Sequence, residues 1–146
     1  MTSAFRSYVD SIGNPDTEVF VDIGANFGTD SIHAVRNGFK RVLALDPDCT
    51  NFDLLQTKAL LNHVDDCVTC GNLAISNVDG IVEMKLSPSN FGDHSIRMDG
   101  ISGKSAWDEG HRCTRTVRVS RLGKVLDEEG RYHSSGSIRR ATKGMC

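Results

Sequence analysis

Two periods of apolar residues alternate along the first half of the chain. Val19-Phe-Val-Asp-Ile23 and Arg41-Val-Leu-Ala-Leu45 are short runs, apolar on both faces, as the buried strands of a parallel sheet are. Between them, Ile32, Val35, Arg36 and Phe39 recur at i, i+3, i+4 and i+7, which predicts a helix with one mainly apolar stripe. Thr29 or Asp30 is placed to cap its start, and Asn37-Gly38 to end it. Strand, helix and strand within about 30 residues make a βαβ unit, with a right-handed crossover expected. Thr50-Asn-Phe-Asp53 fits a capping box for a second helix. That helix would turn Phe52, Leu55, Ala59 and Leu60 to the sheet and end near Asn62-His63. Upstream, Phe5, Tyr8, Val9 and Ile12 have helical spacing, closed by Gly13-Asn-Pro15.

Beyond residue 66 the pattern shortens. Cys67 to Thr69 reads as a third strand, followed by the apolar piece Leu73 to Ile75. Asn77-Val-Asp-Gly80 is turn chemistry and predicts a hairpin entering the alternating strand Ile81 to Leu86. Thr114 to Val119 also alternates and is its expected antiparallel partner. Ser120 to Glu129 suits a short helix with Leu122, Val125 and Leu126 inward. Ser87 to Gly110, rich in Ser, Gly and Asp, reads as an extended loop, and Arg131 to Cys146 has no period from which to assign an element. The pattern predicts an α/β fold: a parallel sheet begun by the first half of the chain, plus an antiparallel strand pair.

The 146 residues are one domain's worth, and 38% hydrophobic with 25% charged residues is ordinary for a soluble protein. No apolar run is long enough for a membrane span, and Met1 to Asp10 lacks the basic and apolar regions of a signal peptide, so a cytoplasmic location is expected. The net charge of −2 hides an asymmetry. Acids outnumber bases two to one over residues 1–110, whereas bases outnumber acids three to one over 111–146. No aromatic beyond Tyr132 interleaves with those late arginines, so a solvated end is expected rather than a nucleic-acid contact. The cysteines at 49, 67, 70, 113 and 146 are an odd set, expected as reduced thiols. Cys67-Val-Thr-Cys70 has metal-like spacing, but no second ligand pair follows, and positions three apart on a strand point to opposite faces. No metal is expected.

The chemistry concentrates at Asp22-Ile-Gly-Ala-Asn-Phe-Gly28, where the first strand ends in a glycine turn and a helix opens. Such a turn presents backbone N–H groups to an anionic or zwitterionic ligand. A tight turn that binds nothing accounts for the glycines equally well. A dinucleotide would want glycine two places after Gly24, where this chain has Asn26, and no Gly-Lys-Ser/Thr follows for a P-loop. S-adenosylmethionine has no pyrophosphate to fit. It calls for an acid near its ammonium (Asp22), donors near its carboxylate (Asn26 to Thr29) and an acceptor for the ribose hydroxyls at the end of the next strand (Asp46).

Val19-Phe-Val-Asp-Ile-Gly-Ala-Asn-Phe-Gly28 and Val42-Leu-Ala-Leu-Asp-Pro47 resemble the FkbM-type S-adenosylmethionine-dependent methyltransferases. So do Asn51, Leu55, Asn72-Leu-Ala-Ile-Ser76, Asp79-Gly80, Gly92-Asp-His-Ser95 and Val117 to Leu122. The resemblance spans roughly residues 17–127. It implies a Rossmann-like sheet and methyl transfer, typically to a hydroxyl oxygen of a small molecule or glycan. It implies methionine-side contacts at Asp22, Gly24, Ala25, Asn26 and Gly28, a ribose ligand at Asp46 beside Pro47, and an adenine-lining segment at Ala74 and Ile75. His94 and Asp93 are the candidates for a general base. Arg121 and Gly123 interrupt the family's Thr-Leu-Asp pattern, and the chain stops near the point where members continue with an Asp-Val-Glu-Gly-like strand. The expectation is a partial methyltransferase domain over residues 1–129 with an unassigned basic tail over 130–146. The first strand's open edge is then left for an oligomer or a missing C-terminal half to cover. The alternative is a truncated, non-catalytic cofactor-binding or interaction domain.

Overall fold

The computed structural model describes residues 18–86 and 113–129, the backbone of 95–96 and 138–142, and Ser7, Tyr8 and Ser11 near the start. In chain order its elements are β1 (Val19–Ile23), α1 (Thr29–Arg36), β2 (Arg41–Leu45), α2 (Cys49–Leu61), β3 (Val68–Gly71) and β4 (Ala74–Ile75). They continue with β5 (Gly80–Lys85), β6 (Ser95–Ile96), β7 (Thr114–Ser120), α3 (Leu122–Glu129) and β8 (Ile138–Thr142). Ser7 and Tyr8 are helical and Ser11 is in a turn; the other residues of the helix expected over Ala4 to Ile12 lie outside the described residues, as does nearly all of the Ser87 to Gly110 loop.

Four parallel strands form the first sheet in the order β3-β2-β1-β8. Alternation along the strands divides the core into two layers. Phe20 of β1 and Val42 and Ala44 of β2 face one side, with Ile32 and Ala34 of α1 and Leu55 and Ala59 of α2. Val19, Val21, Leu43 and Leu45 face the other, with Leu122, Val125 and Leu126 of α3. The βαβ unit expected from the sequence is therefore present and continues through α2 into β3, and helices cover both faces of the sheet. Phe20 and Phe39 meet edge to face at 5.3 Å, closing the layer where the chain leaves α1.

Several local expectations are corrected. α2 starts at Cys49 and is capped by Asp48, whose Oδ1 accepts from the N–H groups of Thr50 and Asn51 at 2.9 and 3.0 Å, so Thr50 is not the cap. Asp48 has extended backbone directly after the Asp46-Pro47 turn, which aims its carboxylate at the helix's first N–H groups. Neither Thr29 nor Asp30 caps α1: its N-cap is Gly28, with no side-chain cap bond. On α2, Leu60 is exposed and Phe52 only half-buried, while Asn51 takes the buried position.

The second sheet has the order β4-β7-β5-β6. β5 and β7 are antiparallel as expected, from Gly80 opposite Val119 to Lys85 opposite Thr114. β4 and β5 do not form a hairpin, because β7 lies between them, parallel to β4. The turn joining them is clasped instead to the start of α3. Asp79 accepts from the Ser120 hydroxyl, the Arg121 N–H and the Arg121 guanidinium at 2.9 to 3.2 Å. The edge of β1 that the sequence leaves open carries β8, parallel and in register from Val19 opposite Ile138 to Ile23 opposite Thr142. A strand here had no signal in the sequence, because Ile-Arg-Arg-Ala-Thr lacks an apolar period.

Candidate functional site

α1 and α2 lie on one face of the first sheet and α3 on the other, and β1 stands where the chain changes faces. A crevice beyond the carboxyl end of such a strand is where ligands bind in open α/β sheets. The turn that follows β1 occupies this place.

Three of its five residues have left-handed backbone: Gly24 (φ 75°), Asn26 (φ 55°) and Gly28 (φ 72°). The N–H groups of Gly24 and Ala25 both donate to the Leu45 carbonyl, at 2.9 and 3.0 Å, fastening the turn to the end of β2. The two glycines are needed for different reasons. A Cβ on Gly28 would strike the Leu55 side chain, so glycine lets α2 approach α1 closely. A Cβ on Gly24 would meet nothing within 4 Å, so only the backbone conformation requires glycine there, and open space lies above it.

The two acids flank this turn in different settings. Asp22 shares the α1 face with Phe20, is 2% exposed, and accepts from the Ser31 hydroxyl at 2.7 Å. Asp46 closes β2, 5% exposed. Its Oδ2 accepts from the Asn26 N–H at 2.8 Å, and its Oδ1 from the Asp48 N–H at 2.9 Å and the Asn51 amide at 3.3 Å. Burial raises the Asp46 pKa above the ordinary carboxylate range, opposed by the N–H groups of Asp48 and Asn26 and the Asn51 amide, and helped by the neighbouring Asp48 carboxylate. The Asn72 amide donates to the Asp46 and Pro47 carbonyls at 3.0 and 3.2 Å, tying the segment after β3 to the same corner.

The structure thus gathers Asp22, Gly24, Ala25, Asn26, Gly28, Asp46 and Pro47 around one turn. Ala74 and Ile75 lie differently, on β4 beside β7, with Ala74 buried and Ile75 packed against the α3 layer. Asp93 and His94 fall outside the described residues. Reasoning from sequence missed Ser31 and Asp48, and it noted Asn51 and Asn72 without a role. Each acts through a hydrogen bond to a residue distant in sequence or to backbone, which no local pattern announces. Cys67 and Cys70 are free thiols, the Cys70 thiol pushed up to about 11 by burial. No group of three or more potential metal ligands occurs among the described residues. A cleft of about 220 Å³ on the second sheet, lined by residues such as Asp79, Ile81, Arg118 and Lys124, includes none of the turn residues.

Two features suit a nucleoside-like ligand. Asn26 Oδ1 is enclosed and accepts no hydrogen bond among the described residues. Asp46 Oδ2 receives one described hydrogen bond, which leaves acceptor capacity for a hydroxyl.

The class these features define is a Rossmann-like α/β domain with its glycine turn at the switch point of a parallel sheet. No protein-family model and no curated protein sequence matches the chain. Among solved structures it is similar to PRMT6, at TM-score 0.44 and 20% identity, over 47% of this chain and 20% of that one. It is similar to an S-adenosylmethionine-dependent methyltransferase from Agrobacterium tumefaciens, at 0.40 and 14%, over 49% and 22%. It is also similar to the protein PH0793 from Pyrococcus horikoshii, at 0.42 and 25%, over 51% and 29%. The aligned part spans less than a third of each of those chains. Among the described residues, no helix is long and apolar enough to cross a membrane.

Proposed function

We propose that this chain binds S-adenosylmethionine at the 24–28 turn and Asp46, as the cofactor-binding part of an FkbM-type methyltransferase acting on a hydroxyl of a small molecule or glycan. The observation that carries the reading is the Asn26 N–H bonded to Asp46 at 2.8 Å, which joins the glycine turn and the acid of the next strand into one corner. In this reading Asp46 holds the ribose and Asn26 takes a donor from the amino-acid end. Gly24 leaves room for close approach, and Pro47 flanks the base. When bound, the cofactor supplies a methyl group on an electrophilic sulfonium. The protein's part is then largely to position the acceptor oxygen in line and to exclude water.

Calorimetry tests the proposal. S-adenosylmethionine or its demethylated product should bind more tightly than NAD, and the opposite order would overturn the reading. Asp46→Ala, checked for folding, should weaken binding by about 1.5–3 kcal/mol, the range for hydrogen bonds to a charged group.

A further inference from the structure

Asp46 does not stand alone at the end of β2. Its Oδ1 accepts from the Asp48 N–H and the Asn51 amide, and Asp48 Oδ1 in turn holds the N–H groups of Thr50 and Asn51. The other oxygen of Asp48 accepts from Arg115 Nη1 at 2.9 Å, and the same nitrogen lies 2.9 Å from Cys49 Sγ. Arg115 belongs to β7, in the second sheet. The Asp48 side chain is 4% exposed and Arg115 38%, so the pair links a buried carboxylate to a partly solvated cation across the two sheets.

We propose that Arg115 is a positioning residue for the cofactor site, fixing the Asp46 carboxylate through Asp48 and Asn51. This rests on the reading of Asp46 as the ribose acceptor. A carboxylate as buried as Asp48 needs a cationic or N–H partner for each oxygen. Losing Arg115 removes the bond that orients Asp48 Oδ2 toward β7, and rotation of that carboxylate would take Oδ1 off the Thr50 and Asn51 N–H groups. The first turn of α2 then shifts, with it the Asn51 amide and the Asp48 N–H, and Asp46 loses its fixed orientation toward the turn. The second sheet would in this way set the shape of a site built wholly on the first.

A purely structural Arg115 would weaken every ligand alike, whereas a positioning role predicts loss of one particular discrimination. The test measures binding of S-adenosylhomocysteine and its 2′-deoxyribose analogue to the full chain. The wild type should prefer the ribose form by about tenfold, one charge-assisted hydrogen bond's worth. Arg115→Ala should reduce that preference to about twofold or less, and Arg115→Lys, which keeps a point charge near Asp48, should restore most of it. Arg115→Gln is run alongside as a milder change that keeps a donor, and it should show an intermediate preference if the alanine variant fails to fold. A preference left at its wild-type value in whichever of the alanine and glutamine variants folds overturns the positioning role while leaving the cofactor reading intact. A wild type that binds neither ligand overturns the cofactor reading, and the role of Arg115 with it.

Discussion

Gly24 and Gly28 share left-handed backbone but differ in surroundings, so replacing each with alanine separates strain from packing. Left-handed backbone costs an L-residue about 1–2 kcal/mol, and Gly24→Ala should cost only that, since its Cβ meets nothing within 4 Å. Gly28→Ala incurs the same strain and also drives a methyl into the Leu55 side chain, which is fully buried. Overpacking of this kind adds about 1–3 kcal/mol, for a total of about 2–5 kcal/mol. Such a loss is a sizeable part of the roughly 5–15 kcal/mol that holds a domain together. Urea unfolding followed by far-UV circular dichroism gives both values. The packing share is isolated by a double-mutant cycle with Leu55→Ala, because shortening Leu55 removes the atoms the new methyl would strike. Leu55→Ala should therefore cost about 1–3 kcal/mol less in the Gly28→Ala background than alone. Equal costs for the two glycine variants, or no coupling to Leu55, would refute the argument that Gly28 exists for the close approach of α2.

Two further predictions concern titrating groups. Asp79 is held down to about 2, by the Arg121 N–H first and then by the Ser120 hydroxyl and the Arg121 guanidinium. A depressed carboxylate contributes stability that is present above its ordinary pKa of 3.8 and lost as pH falls toward 2. The melting temperature of the wild type should thus exceed that of Asp79→Asn at pH 5, with the gap closing by pH 2, and a gap that does not change with pH would refute the assignment. Among the thiols, Cys49 and Cys113 are exposed, whereas burial pushes Cys70 up to about 11. Mass spectrometry after brief alkylation at pH 8 should find Cys49 and Cys113 modified and Cys70 protected until urea is added, because the thiolate is the reactive form. Early labelling of Cys70 would contradict its burial.

The first sheet was legible because β1 and β2 carry apolar runs bounded by turn residues, with the shorter β3 following the second helix. The turn was legible because its glycines occupy positions where backbone conformation or contact excludes other residues. The order of the second sheet was not. The alternation of Thr114 to Val119 paired β7 with β5, but the Asp-Gly before β5 signals a hairpin with β4, and nothing local shows that β7 also takes the place beside β4. The caps failed for a related reason. Thr50 and Asp53 satisfy a capping-box pattern, yet Asp48 comes two residues earlier, and a tertiary bond from Arg115 and a local one to Asp46 favour it. β8 lies at the far limit of legibility, since a strand that completes an existing sheet gains its hydrogen bonds from β1 whatever its own pattern.

The turn is held from two sides, and this bears on how it would bind. Behind it, Ser31 of α1 bonds to Asp22 of β1, so the helix that opens after the turn is tied to the strand that closes before it. In front, Asn26 bonds to Asp46, and the Leu45 carbonyl takes the Gly24 and Ala25 N–H groups. With Ser31 on one oxygen and only 2% of its surface exposed, Asp22 is placed to fix the turn at least as much as to touch a ligand. Ordering a loop on binding typically costs about 0.5–1.5 kcal/mol for each side chain immobilised. Here the turn and both acids are held by bonds within the protein itself. A ligand at this corner would therefore need few contacts, and the affinity those contacts give depends on the bonds that hold the turn from behind as much as on the atoms that face the ligand.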